Sequence, residues 1–246
     1  IQKAEWRSLT IAVKTLKEPI RHATDEIEEL LREIAIWKTL RHPNIVMFLG
    51  ASSRPDMGLM LLMEYMPSGS LQQYLTTRLK INARESWKIA LDISSAMAFL
   101  HSCSPPVIHG DLQPENILFN SFGDAKIGDF GLSKYVRATP PSSGSAQKHV
   151  RYLAPEILLW MSVSLKSDVY AFGMILLDLF TKGPKHSDYL KVAKGSAKIP
   201  VDDCKNSYAK EVVLKCIEAD IKKRASFVDI VNDIEVFNNR EKCTIV

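Results

Sequence analysis

The spacing of apolar and polar positions divides the chain into a strand-rich N-terminal part and a helix-rich remainder. Leu9 to Leu16 carries β-branched residues around Ala12 and predicts a strand. From Asp25 to Leu40, Ile27, Leu30, Leu31, Ile34 and Trp37 recur at helical spacing. Glu33 falls on the apolar, inward side of that helix, whereas Glu26, Glu28 and Glu29 form a solvated face. His42-Pro43-Asn44 stops it. Ile45 to Gly50 and Leu59 to Met63 read as two further strands, and Pro67-Ser-Gly-Ser70 as a turn-rich break. Beyond the break, Ile89, Ile93, Met97 and Leu100 repeat helically over Asn82 to Ser102. Ile117–Phe119 and Ala125–Ile127 predict a hairpin turned at Ser121-Phe-Gly-Asp124. Lys134 to Lys148 is polar and rich in Pro, Ser and Gly, the composition of a mobile segment. Ser167 to Phe180 is apolar all round and predicts a buried helix. The rest reads as amphipathic helix, with no internal repeat.

Composition narrows the class without naming it. At 246 residues, 46% hydrophobic and 24% charged, the chain is ordinary globular protein with room for a real core. The net charge of +4 is spread along the chain, so nucleic acid is not implied. Cys103, Cys204, Cys216 and Cys243 show no CxxC and no metal spacing. They read as structural or surface thiols in a reducing compartment, hence a cytoplasmic expectation. Leu59 to Met63, the longest apolar run, is far too short to span a bilayer, and no signal-peptide pattern occurs. The first residue is Ile1, not Met, which predicts a piece of a longer protein. Cys243-Thr-Ile-Val246, preceded by Arg240 and Lys242, fits a prenylation box and is the one route to a membrane in the sequence. A chance Cys at a frayed terminus is the simpler reading.

The densest chemistry lies in Val107 to Asn120. Asp111 and Asn116 stand five apart, and Asp129, in Gly128-Asp-Phe-Gly131, follows thirteen residues later. Phosphoryl transfer needs neutralised phosphate charge, metal ligands and an acceptor for the hydroxyl proton. Neighbouring carboxylates repel each other without a cation, so this set suits Mg²⁺ better than packing. Asp-Phe-Gly alone is an ordinary turn. In this order and spacing, and followed by Ala154-Pro-Glu156, the set is far more specific.

On these motifs the chain resembles a protein kinase domain over nearly its whole length. The resemblance implies a two-lobed α+β fold: an N-lobe at 1–63, a hinge at 64–69, a helical C-lobe at 70–238 and a tail at 239–246. It implies ATP and Mg²⁺ as cofactors and protein Ser/Thr hydroxyls as acceptors. Ile11-Ala-Val-Lys14 matches the family's lysine strand, so Lys14 would contact the α- and β-phosphates with Glu33 as its ion-pair partner. Asp111 would accept the hydroxyl proton, and Asn116 and Asp129 would hold Mg²⁺. Ala12, Met63 and Leu118 would line the adenine site, with Met63 the gatekeeper and Glu64, Tyr65 and Met66 the hinge. Glu156 would pair with Arg224, and Asp168 would brace the catalytic-loop backbone. Arg41-His-Pro-Asn-Ile-Val-Met-Phe-Leu-Gly-Ala51 resembles the tyrosine-kinase-like group, which includes the Raf and mixed-lineage kinases and mostly phosphorylates Ser and Thr. Kinases of that kind can dimerise side to side, so a kinase dimer partner is also implied.

Four departures from the family pattern bear on activity. The Gly-rich loop would lie just before Ile1, and Lys3-Ala-Glu-Trp6 resembles the strand that follows it, which points to truncation before or within that loop. Gly110 replaces the Arg that pairs with a phosphorylated activation segment, so a switch at Thr139, Ser142, Ser143 or Ser145 through that contact is not expected. Gln113 replaces the Lys that helps neutralise the γ-phosphate, a loss worth on the order of a hundredfold in rate. His149 stands where a Thr usually contacts the catalytic Asp, and reads as a loop histidine. The alternative function is therefore a pseudokinase acting as scaffold or allosteric partner. A small-molecule kinase is a third reading, with less support because Ala154-Pro-Glu156 suits a protein substrate.

Overall fold

The computed structural model describes residues 1–16, 34–54, 58–77, 81–130, 150–159, 163–181 and 189–243, with side chains to 239. Its first layer is a four-stranded antiparallel sheet. β1 (Gln2–Trp6) pairs with β2 (Leu9–Leu16), β2 with β4 (Gly58–Glu64), and β4 with β3 (Phe48–Arg54), giving the order β1-β2-β4-β3. Arg7 and Ser8 turn β1 into β2 with φ of 49° and 64°, the positive-φ pair that a two-residue hairpin needs to match strand twist. In the β2–β4 ladder Ala12 lies opposite Met63 and Lys14 opposite Leu61.

The sheet corrects one expected boundary. A strand over Ile45 to Gly50 is not found; β3 begins at Phe48 and runs to Arg54. Ile45 and Val46 bond instead to the later hairpin. Val46 N donates to Ile127 O at 2.8 Å, and Ile127 N donates to Asn44 O at 2.9 Å. The polar Ser52 and Ser53 continue β3 because β4 supplies ladder partners for them, at Met60 and Leu59. The expected helix over Asp25 to Leu40 falls mostly outside the described residues, of which 34–37 are helical. The segment from Lys134 to Lys148 lies outside them altogether.

The helical part follows α1 (Leu71–Thr77). α2 (Ala83–Ser102) starts where Asn82 accepts from Glu85 N at 2.8 Å, an N-cap that satisfies one orphan donor of the first turn. Its apolar face buries Ile89, Ile93, Met97 and Leu100. β5 (Ile117–Phe119) and β6 (Ala125–Ile127) form the expected hairpin. α3 (Pro155–Leu158) and α4 (Leu165–Thr181) follow. α4 is buried on every side from Ser167 to Leu179, as its apolar composition requires. α5 (Tyr189–Ala193), α6 (Ser207–Cys216) and α7 (Phe227–Cys243) complete the set. α4 and α6 approach closely at Gly173, where an added Cβ would stand 2.5 Å from Cys216 Cβ. One apolar core runs from Ala12, Phe48 and Met63 of the sheet to Met97, Phe172 and Ile175 of the helices. The result is the expected two-lobed α+β arrangement, a small antiparallel-sheet lobe on a helical lobe. No helix among the described residues is long and apolar enough to cross a membrane.

Candidate active site

Alternation along β2 puts Ala12 and Lys14 on one face of the sheet. Lys14 Nζ meets Asp129 Oδ1 at 2.5 Å, bridging the sheet to the loop after β6. Asp129 adopts φ 56°, a left-handed conformation that costs an Asp less than most residues and that clusters at functional sites. Phe130 next to it is 1% exposed. It packs on Trp37 at 5.5 Å and edge-on to His109 at 5.5 Å. His109 Nε2 is 3.2 Å from Gly128 O, and Trp37 Nε1 donates to Val46 O at 2.9 Å. The rings on both sides of Phe130 are thereby hydrogen-bonded in place. The chain passes close at Gly128, where a Cβ would lie 3.2 Å from Val46 Cγ2, tighter than most such contacts.

Asp111 has an amide donor on each carboxylate oxygen. Gln113 Nε2 donates to Oδ1 at 2.8 Å, and Asn116 Nδ2 donates to Oδ2 and to the Asp111 carbonyl, both at 2.9 Å. The short turn Pro114–Asn116 places Asn116 back against Asp111. Because the Asn116 nitrogen is engaged, its Oδ1 is the atom that can face a cation. The loop backbone hangs from Asp168, which accepts from His109 N and Gly110 N at 2.9 Å each and stands 3.0 Å from His101 Nε2. Gly110 has φ 75°. Glu156 and Arg224 form a buried bidentate pair at 2.6 and 3.1 Å.

Every expected site residue except Glu33 is described. Glu33, like His149, lies outside the described residues, and the observed partner of Lys14 is Asp129. Met63 and Met66 are buried in the common core with Ala12, and Leu118 packs against it. Glu64 does more than its backbone reading implied. Its carboxylate accepts from Lys126 Nζ at 2.8 and 2.9 Å and from Met47 N at 2.7 Å, tying β4 to the β5–β6 hairpin. Tyr65 lies under Lys3 Nζ, 5.1 Å from the ring centroid. Among the described residues no group of three or more His, Cys, Asp or Glu could hold a metal. One carboxylate with one amide oxygen fits Mg²⁺, which keeps waters and binds through substrate phosphates.

Sequence reading missed a buried cluster behind this loop. Asp178, 0% exposed in α4, accepts from Arg151 and Tyr152. Burial pushes its carboxyl up to about 6, against the pull of the Arg151 guanidinium. The signal was present: a charged residue inside an otherwise apolar helix requires a buried partner.

The comparisons agree with this geometry. The model of the protein tyrosine and serine/threonine kinase family matches residues 1–234. The chain is 41% identical over 184 residues to serine/threonine-protein kinase CTR1 of Arabidopsis thaliana, covering 74% of this chain and 22% of that protein. It is 33% identical over 243 residues to the probable serine/threonine-protein kinase SIS8 of the same plant, covering 96% of this chain and 23% of that one. Against serine/threonine-protein kinase VIK, also from Arabidopsis thaliana, identity is 34% over 250 residues, 96% of this chain and 56% of that one. The chain thus spans less than two thirds of each of these relatives. With residues 1–234 of 246 matched in this way, the chain belongs to the protein kinase family, and within it to the tyrosine-kinase-like type.

Proposed function

We propose that this domain transfers the γ-phosphate of ATP to Ser or Thr hydroxyls of proteins. The observation that carries the reading is the pair of opposed constellations across one cleft. Lys14 reaches Asp129 from the sheet, and Asp111 is gripped by Asn116 and Gln113 on the helical side. Lys14, with Glu33, neutralises α- and β-phosphate charge. Asp129 and the Asn116 Oδ1 would hold Mg²⁺, which when bound would neutralise charge on the transferring group. Asp111 accepts the hydroxyl proton in the orientation that the two amides impose. Ala12, Met63 and Leu118 wall the adenine site, and the backbone of Glu64, Tyr65 and Met66 supplies its polar contacts. The lobes divide at 1–63 and 70–238, the segment 64–69 is the hinge, and 239–246 is a tail. Preference for Ser and Thr rests on the names of the three relatives. Free, buried Cys204 and Cys216 support a reducing, cytoplasmic setting.

The test uses the full-length protein, γ-labelled ATP with Mg²⁺, and dephosphorylated casein as acceptor. Asp111→Asn and Lys14→Met should each lower transfer by at least about a hundredfold. Background transfer that neither substitution changes refutes catalysis and leaves the scaffold function.

A further inference from the structure

β1 is the most weakly anchored strand of the four-stranded sheet. Among the described residues it is an edge strand, paired with β2 alone, with Gln2 opposite Val13 at one end and Trp6 opposite Leu9 at the other. It sends no side chain into the common core: Ala4 is half-buried, and Gln2, Lys3, Glu5 and Trp6 are exposed. A strand held by one ladder and little burial opens more readily than the rest of a fold. The ring contact at its turn, Arg7 over Trp6 at 5.2 Å, stays within the hairpin and ties it to nothing else.

Lys3 supplies an outside tie. It stands opposite Ala12, and Ala12 stands opposite Met63, so the three form one row across β1, β2 and β4. Directly paired residues project to the same face of a sheet, which puts Lys3 on the face of Ala12, the expected adenine wall. Its ammonium ends 5.1 Å from the ring centroid of Tyr65, two residues beyond Met63 in the hinge. Among the described residues no carboxylate forms an ion pair with Lys3. A cation over an aromatic face is held by the ring quadrupole. The Tyr65 ring itself packs against the core, so it is a fixed post for the edge strand.

We propose that Lys3 and the Tyr65 ring are positioning residues for the nucleotide: the ammonium on the ring clips β1 across β2 to the hinge and so sets how closely the sheet closes over adenine. The inference rests on the kinase reading of the same cleft. Loss of the clip loosens nucleotide binding equally before and during transfer, so KM for ATP rises while kcat holds. A cation–ring contact at an exposed site accounts for about two- to fivefold in binding. The competing account is bare charge, in which the Lys3 ammonium attracts phosphate from wherever it stands. The two accounts part on adenosine, which carries no phosphate, and on protein that lacks the ring.

The experiment measures, in the full-length protein with Mg²⁺, KM for ATP, KM for dephosphorylated casein, kcat, and the inhibition constant of adenosine against ATP. The variants are Lys3→Met, Lys3→Arg, Tyr65→Leu and the double variant Lys3→Met with Tyr65→Leu. Lys3→Met keeps the apolar stem and removes the charge. It should raise KM for ATP and the adenosine constant together, each about two- to fivefold, with kcat and KM for casein within about 1.5-fold. Lys3→Arg, which returns a cation to the ring, should bring both constants back to within about 1.5-fold of wild type. Once Tyr65→Leu has removed the ring, adding Lys3→Met should change neither constant further. A wild-type adenosine constant in Lys3→Met overturns the proposal, whether or not the Tyr65 variants fold. So does a Lys3→Met effect of full size in the Tyr65→Leu background. In both cases a wild-type protein that phosphorylates casein leaves the kinase reading standing. Wild-type protein that transfers no phosphate to casein overturns that reading, and this inference with it.

Discussion

Gly110 adopts φ 75°, a region that side-chain-bearing residues enter at a cost of about 1–2 kcal/mol. The family pattern has Arg there, so this chain has traded a charge for a relaxed turn. The clamp around the turn is nevertheless complete, since both Asp168 oxygens accept backbone N–H groups of the loop. Gly110→Ala should therefore keep the loop in place and lower unfolding free energy by about 1–2 kcal/mol, read from urea denaturation. An unchanged midpoint would mean that the left-handed turn is not retained in solution. Gly110 was legible as a missing charge, but not as a conformational requirement. A φ value depends on where Asp168, far along the chain, places its oxygens, and residue spacing carries no trace of that.

At the scale of elements, what could be read from spacing was what local periodicity determines. β2, the β5–β6 hairpin, α2 and the buried α4 each carry their own pattern, and each is found within two residues of its expected ends. Ile45 and Val46 look like strand residues but pair with Ile127, a partner that no local window contains. The Arg151–Asp178 pair was invisible for the same reason, although the misplaced charge in α4 announced that a partner existed. α7 has a signature of both kinds. Ser226 N and Oγ donate to Asp229 Oδ2 at 2.9 and 2.6 Å, while Asp229 N donates to Ser226 Oγ at 3.3 Å. This is a reciprocal cap that closes the first turn. The Ser226 contacts hold the Asp229 carboxyl below its ordinary value of 3.8. A depressed folded pKa means that the native state binds the proton less readily than the unfolded chain. The stabilisation is fully present above pH 3.8 and is lost as pH falls through the lower folded value. Asp229→Asn should cost about 0.5–1 kcal/mol at neutral pH. The difference from wild type should shrink below pH 3.8, as denaturation at a series of pH values would show. A constant difference across that range would assign the stabilisation to packing instead of the carboxylate.

For the whole molecule, the question is what joins the sheet to the helical lobe. Backbone bonds at Val46 and Ile127 make one tie, the Glu64–Lys126 pair a second, and Lys14–Asp129 a third. The first two are built from groups that nucleotide has no reason to displace. The third differs, because both members are the residues proposed to meet phosphate and metal. In the absence of ligand, Lys14 and Asp129 neutralise each other. On the proposed function, Mg²⁺ and ATP would give each a ligand of opposite charge in place of that partner, and the ligand would bridge both lobes. Binding to the native state alone stabilises it by about 2.7 kcal/mol at a hundredfold excess over Kd, and that stabilisation falls on both lobes together. Thermal unfolding should therefore shift upward, as a single transition, with Mg²⁺ and ATP together. Lys14→Met should lose the shift, because the phosphates lose their cation. Asp129→Asn should lose the Mg²⁺-dependent part of the shift. Lys126→Met cuts a tie outside the phosphate site, so it should lower the melting temperature with and without ligand by similar amounts and leave the shift in place. A shift that survives both Lys14→Met and Asp129→Asn would place the nucleotide elsewhere than in the cleft these two residues span.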